Sequence, residues 1–252
     1  MTSRLAPGGK AAEALALLVV GAAIAGFVGG LVNPLTAVVM AAAAGANGAI
    51  SGWRGIYPWR RTEGAMLFVL DSTWALLPVA IGLAAHVAAA GGKSGYDESL
   101  SRRQGRHVYR AGLHLQTGFA FTIGNVISSA GDVTRERRRK LITDHEAVHV
   151  AQARCFGPLY PLAYGLWSLL GAVAGVGLWL RRGRKQPLGK VVEACSYYLN
   201  PFEWWAYSRD GLWPPPALLP GVGWRKPAVR SLVDMRSARL RAATEEALHD
   251  SE

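Results

Sequence analysis

"ALALLVVGAAIAGFVGGLV", Ala14 to Val32, carries no charged residue over roughly the ~20 positions a helix needs to cross a hydrocarbon layer ~30 Å thick. Working outward, "AMLFVLDSTWALLPVAIGLAAHVAAA" (Ala65 to Ala90) is similarly apolar apart from Asp71 and His86. "FGPLYPLAYGLWSLLGAVAGVGLWL" (Phe156 to Leu180) is also long and apolar and meets Arg181, Arg182, Arg184 and Lys185 directly after it. Between the first two runs, Asn33-Pro34 interrupts the pattern, and "LTAVVMAAAAGANGAI" supplies the small residues that let one membrane helix lie close to another. The expected fold is membrane α-helical, with 3–4 transmembrane or re-entrant helices at about 14–32, 35–50, 65–90 and 156–180.

Composition agrees. The chain of 252 residues is 50% hydrophobic and 18% charged, with a mean hydropathy of +0.15, which does not suit a soluble enzyme. A net charge of +11 would ordinarily point to nucleic acid. Here the basic clusters, "RERRRK" (Arg135 to Lys140) and "RRGRK" (Arg181 to Lys185), lie close to apolar segments, where anionic lipid headgroups account for them and nucleic acid is not an expected partner. Arg4 and Lys10 precede the first apolar run, but no small-residue cleavage site follows it, so a retained anchor is expected. The expected location is a bacterial plasma membrane. Most Lys and Arg follow the 65–90 run, which leans the catalytic half toward the cytoplasm, although Arg60 and Arg61 argue the other way across that run.

From Val108 the pattern changes. Phe119, Phe121 and Ile123 alternate with small or polar neighbours, which predicts two short strands with a turn at Gln116-Thr117-Gly118. From Val133 to about Arg154 the spacing becomes helical, and this helix carries "TDHEAVHVAQ" (Thr143 to Gln152). His145 and His149 stand one turn apart on one face, the spacing with which a single rigid helix supplies two ligands to a zinc ion. Glu146, beside the first histidine, is placed to act as general base toward a water whose pKa the ion lowers to about 7.

HEAVH followed later by "NPFEWWA" (Asn200 to Ala206) resembles the gluzincin clan of zinc metallopeptidases. It is similar in particular to the membrane-embedded group of the CAAX prenyl-protein protease and its bacterial heat-shock relatives, with HExxH, apolar segments and then ExxA. The resemblance covers roughly Gly118 to Tyr207, and in detail the two motifs. It implies zinc held by His145, His149 and Glu203, with Glu146 as base, and a small α+β zincin-like catalytic unit acting on membrane-proximal peptide or protein substrates along an edge strand within Gly118 to Ser128. The chain departs from the group's pattern in having one apolar stretch between the motifs and Tyr207 after ExxA. Glu203 has a second reading, as the third residue of a capping box opened by Asn200 and Pro201.

The domain expectation is therefore membrane helices over 1–92, the catalytic unit over 93–210 with an apolar hairpin or span at 156–180, and a Pro-rich linker and charged helical tail over 211–252. A straight crossing at 156–180 would part His149 from Glu203, so Pro158, Pro161, Gly165 and "GAVAG" are expected to fold that stretch into a hairpin. Asp71 is expected to pair with an arginine, to cap a broken helix, or to serve a function within the membrane. Asp144 and Gln152 are candidates to hold a ligand imidazole, and Tyr197, Tyr198, Tyr207 and His114 are candidate oxyanion donors. His107 and His114 are expected to be exposed, and Cys155 and Cys195 to be packing residues. Two other readings stay open: a membrane scaffold with a structural or empty metal site, and a transporter in which the motif is incidental.

Overall fold

The computed structural model describes residues 7–90, 95–113 and 118–209; the tail expected over 211–252 and the turn expected at 116–118, Gly118 apart, lie outside them. The chain divides into two compact units, Met1–Pro161 and Leu162–Glu252.

The first unit opens with α1 (Pro7–Gly30) and α2 (Pro34–Arg54). Asn33 caps α2, its side-chain oxygen accepting the Thr36 N–H at 2.8 Å, and Pro34 follows at the first helical position. Gly55, at φ +64°, closes the helix. The two helices run antiparallel so closely that a Cβ at Gly52 would overlap the Ala14 backbone, one at Gly48 the Leu17 backbone, and one at Gly29 the Thr36 and Ala37 backbone. Leu15, Val19, Phe27, Leu31, Leu35 and Val38 project outward from this pair, as on a lipid-facing surface.

The 65–90 region is not one straight helix. α3 (Thr62–Ser72) and α4 (Leu76–Ala90) meet at an 87° bend, where the Thr73 hydroxyl donates back to the Val69 carbonyl at 2.7 Å. Two helices of this unit, Gly8–Gly30 and Pro34–Arg54, are each long and apolar enough to cross a membrane; Leu159–Arg181 is a third, and the bent pair counts as a possible fourth. The chain thus has the makings of a membrane protein.

A short helix, α5 (Glu98–Ser101), leads into a sheet of β1 (His107–Val108), β2 (Phe121–Ile123) and β3 (Val126–Ser128) in the order β1-β3-β2. β1 runs parallel to β3, pairing His107 with Val126, and β2 runs antiparallel to it, pairing Thr122 with Ile127. The β2–β3 turn falls at Gly124, where φ is +57° and the Pro78–Val79 backbone leaves no room for a side chain. Val108 and Ile127 of the sheet pack with Leu100, Val133, Ile142 and Val150 into a core. Ile142 and Val150 come from the helical segment α6 (Glu136–Lys140), a π-helical turn (Leu141–Glu146) and α7 (Ala147–Phe156). Helix therefore begins at Glu136 rather than Val133, because Asp132 forms a turn instead, accepting from the Thr134 N–H and the Arg135 guanidinium.

α8 runs unbroken from Leu159 to Arg181, so the hairpin expected inside 156–180 does not form there. Pro161 sits in the first turn of α8, where a missing N–H costs nothing. The small residues serve close packing instead: a Cβ at Gly171 would overlap the Cys195–Ser196 backbone, and one at Gly175 would crowd Val191 and Val192. The reversal comes later, at Gly183 (φ +67°) and Arg184 (φ +58°). α9 (Leu188–Glu193), a second π-helical turn (Ala194–Tyr198) and α10 (Pro201–Arg209) follow it. They run back beside α8, with Trp167 Nε1 donating to the Leu199 carbonyl at 3.1 Å and the Tyr164 hydroxyl donating to Glu203 at 2.7 Å.

Candidate metal centre

The motif helix is fixed at both ends. Upstream, the Arg138 guanidinium donates to the carbonyls of Gly118 (3.0 Å) and Ser129 (2.6 Å), tying α6 to the chain around β2 and β3. The π-helical turn ends at Glu146, inside HEAVH, and its wider turn is of a kind often found at functional sites. Downstream, Cys155 O accepts Trp74 Nε1–H at 3.1 Å.

His145 is 1% and His149 7% exposed, with ring centroids 5.1 Å apart. His149 Nδ1 lies 2.8 Å from the Gln152 amide oxygen, which can only accept, so the ring carries its proton on Nδ1 and presents the Nε2 lone pair. The Tyr160 hydroxyl reaches the same oxygen at 3.2 Å. Gln152, fully buried, thus orients the His149 ring, with the Tyr160 hydroxyl 3.2 Å from the same Nδ1. Asp144 instead accepts from its neighbour Thr143 at 2.9 Å.

Glu146 is held from the sheet: the Thr122 hydroxyl on β2 donates to its carboxylate at 2.6 Å. That bond fixes one carboxylate oxygen and leaves the other with lone pairs to accept a proton. Thr122 was not singled out by sequence reasoning, because a three-residue strand announces neither its register nor its partner.

In the second unit the α10 cap is made without Glu203. Asn200 Oδ1 accepts the Phe202 N–H at 3.0 Å, while the Asn200 N–H goes to the Tyr197 carbonyl. The Glu203 carboxylate, 2% exposed, receives the Tyr164 hydroxyl instead of closing a capping box. Of the candidate oxyanion donors, Tyr198 and Tyr207 are buried with their rings stacked 6.3 Å apart, Tyr197 is half-buried, and His114 lies outside the described residues.

His145, His149 and Glu203 form a group that could hold a metal ion: one donor atom from each lies within 4.8 Å of the others. Two imidazoles and a carboxylate, all buried, are a donor set suited to a borderline transition metal. Glu146 is not a member of the group. Neither is Cys155, which is exposed, nor Cys195, which is buried, and both are free thiols.

Asp71 is taken up by structure. Arg154 grips it through two hydrogen bonds, Nε to Oδ1 at 2.7 Å and Nη2 to Oδ2 at 2.8 Å. The Tyr57 hydroxyl donates to it at 2.9 Å and Asn125 Nδ2 at 3.3 Å. Asn125 also donates to Asn47, and Ser51 beyond it bonds His107 at 3.1 Å. His107 is completely buried, contrary to the expectation of exposure, because it faces Ser51 of α2 and Tyr96 rather than solvent. Burial, with Arg54 and Arg154 nearby, holds its pKa well below the ordinary histidine value, so it is neutral. No family model, curated protein or solved structure matches the chain.

Proposed function

We propose that the protein is a membrane-bound zinc metalloendopeptidase of gluzincin type that hydrolyses membrane-proximal peptide bonds. The observation that carries the reading is the His145–His149–Glu203 group beside a carboxylate, Glu146, held by a different element. The donors fit zinc, which takes two histidines and a glutamate at catalytic sites of this kind. Bound there, the ion would supply Lewis acidity, polarising a carbonyl and acidifying water.

The chain's own groups do the rest. Gln152 holds His149 as the Nδ1–H tautomer, so that Nε2 is the basic atom. Tyr164 holds Glu203 in place through a hydrogen bond to one carboxylate oxygen. Glu146 takes a proton from the attacking water and passes it to the leaving amine, with Thr122 fixing the carboxylate's direction.

Elemental analysis of the detergent-purified protein should give about one zinc per chain, sharply reduced in His149→Ala and in Glu203→Ala. Glu146→Gln should retain the zinc and lose hydrolysis of membrane-anchored peptides by about 10²-fold or more. A wild type that takes up no zinc on reloading refutes the site, and zinc retained without turnover on any peptide panel refutes the peptidase.

A further inference from the structure

The α1–α2 pair is a ruler. Its close contacts set the register Ala14 with Gly52, Leu17 with Gly48, Gly26 with Ala41 and Gly29 with Ala37. Charge is confined to one end of it. Around the Ala14–Gly52 end, Glu13 pairs with Arg103 at 2.7 Å, Lys10 with Glu98 at 3.8 Å, and the Arg54 guanidinium lies over the Tyr96 ring. Arg60 and Arg61 follow in the adjoining loop. The other end, Gly30 to Leu35, has no charged residue.

α3 and α4 can be placed along this ruler. Phe68 of α3 packs with Leu17, Ile56 and Tyr57 near the charged end. Further along, Ser72 approaches Gly21, and Leu76 packs with Ala25 and Ala44. At 1.5 Å per residue, Ala44 lies about 12 Å from Gly52, close to the middle of a ~30 Å hydrocarbon layer. α4 then turns back. Gly82 meets the Ile123 carbonyl, and the His86 ring stacks edge-on against His107 at 4.5 Å, itself bonded to Ser51, one residue from Gly52.

We infer that α3 and α4 form a re-entrant pair, entering and leaving the bilayer on the charged, cytoplasmic side of α1–α2, and that the Asp71–Arg154 ion pair fastens the metal-binding helix to its deepest point. Arg154 and Cys155 lie in the last turn of that helix, and they bond Asp71 and Trp74 at the bend. The helix carrying His145 and His149 therefore has its C-terminal end at mid-bilayer depth, and Arg154 and Asp71 are positioning residues. This rests on the membrane-bound reading above and gives its substrates a class: peptides approaching from the cytoplasmic leaflet or inserted in it. It also removes the conflict over sidedness. Arg60 and Arg61 stand on the same side as the sheet because nothing between them crosses.

The test is single-cysteine labelling of the full chain in the plasma membrane of a bacterial host, in a Cys155→Ser/Cys195→Ser background, with a membrane-impermeant maleimide. Thr62→Cys and Glu98→Cys should label only in inverted vesicles, and Val32→Cys only in intact cells. Thr62 and Glu98 labelling from opposite sides would make the bent pair a crossing and overturn the inference, as would Val32 labelling from the same side as both. For depth, a nitroxide on Cys155 in the Cys195→Ser protein, reconstituted in vesicles, should collide more with oxygen than with a water-soluble nickel chelate; the reverse ranking places the helix end at the surface and refutes it. Neither readout depends on zinc, so failure here is distinct from failure of the metal site.

Discussion

The α1–α2 pair and the bent α3–α4 pair are neighbours built on opposite principles. The first is held by small residues, with glycines admitting backbone against backbone and large apolar side chains turned outward. The second is bound to its surroundings by polar groups: Asp71, Arg154, Tyr57, Asn47, Asn125 and His107 are buried together in hydrogen-bonded contact. The difference follows from what each must hold. Two regular helices satisfy their own backbone groups and need only shape, whereas a broken helix and a sheet end expose polar groups that require partners.

The comparison is broken hardest at Arg154. Arg154→Leu leaves Asp71 with its charge uncompensated and should cost about 3–5 kcal/mol, while Asp71→Leu/Arg154→Leu together should recover most of it. Denaturant titration of the detergent-solubilised proteins measures both, and an additive double variant would show that the pair is not coupled. Gly48→Val attacks the other principle, because a side chain there overlaps the Leu17 carbonyl. It should cost about 1–3 kcal/mol in the same titration. Gly165→Ala is its control, with nothing within 4 Å of the added methyl, and should be neutral or slightly stabilising.

The smallest effect sharpens the polar side. Asp97 is buried, which by itself raises its pKa, but hydrogen bonds from Ser99, Arg110 and the Leu100 N–H outweigh this and hold it below the ordinary carboxylate value. A carboxyl with a depressed folded pKa adds stability above its unfolded value near ~3.9, and that stability is lost as pH falls through the folded value. Asp97→Asn should therefore cost on the order of 1 kcal/mol at pH 7, discounted because Arg110 is half exposed. The gap in melting temperature between wild type and variant should narrow on acidification to about pH 3; a gap independent of pH would assign the loss to packing.

Much of this was legible in the sequence for reasons particular to each segment. Asn33-Pro34 and Gly55 bounded α2 because cap chemistry is local. His145 and His149 shared a face because helical spacing requires it, and for Asp71, set in an apolar run, an arginine partner was one expectation beside a helix cap or a function. Arg154, lying beyond the motif and 83 residues from Asp71, was identified as that partner only by the folded contact. Glu203 was found through its motif, while Tyr164, which engages it, belonged to an apolar run that gave no sign of a polar task.

Sequence alone determined the apolar segments and the residue types and spacing of HEAVH, since hydrocarbon thickness and helical period act on consecutive residues. Tertiary structure decided that residues 65–90 bend, that 156–180 stay straight, and that the chain reverses at Gly183 to bring Glu203 beside Tyr164. These outcomes depend on which backbones can approach at Gly124, Gly171 and Gly175, and close approach between distant segments leaves no periodic trace in the chain.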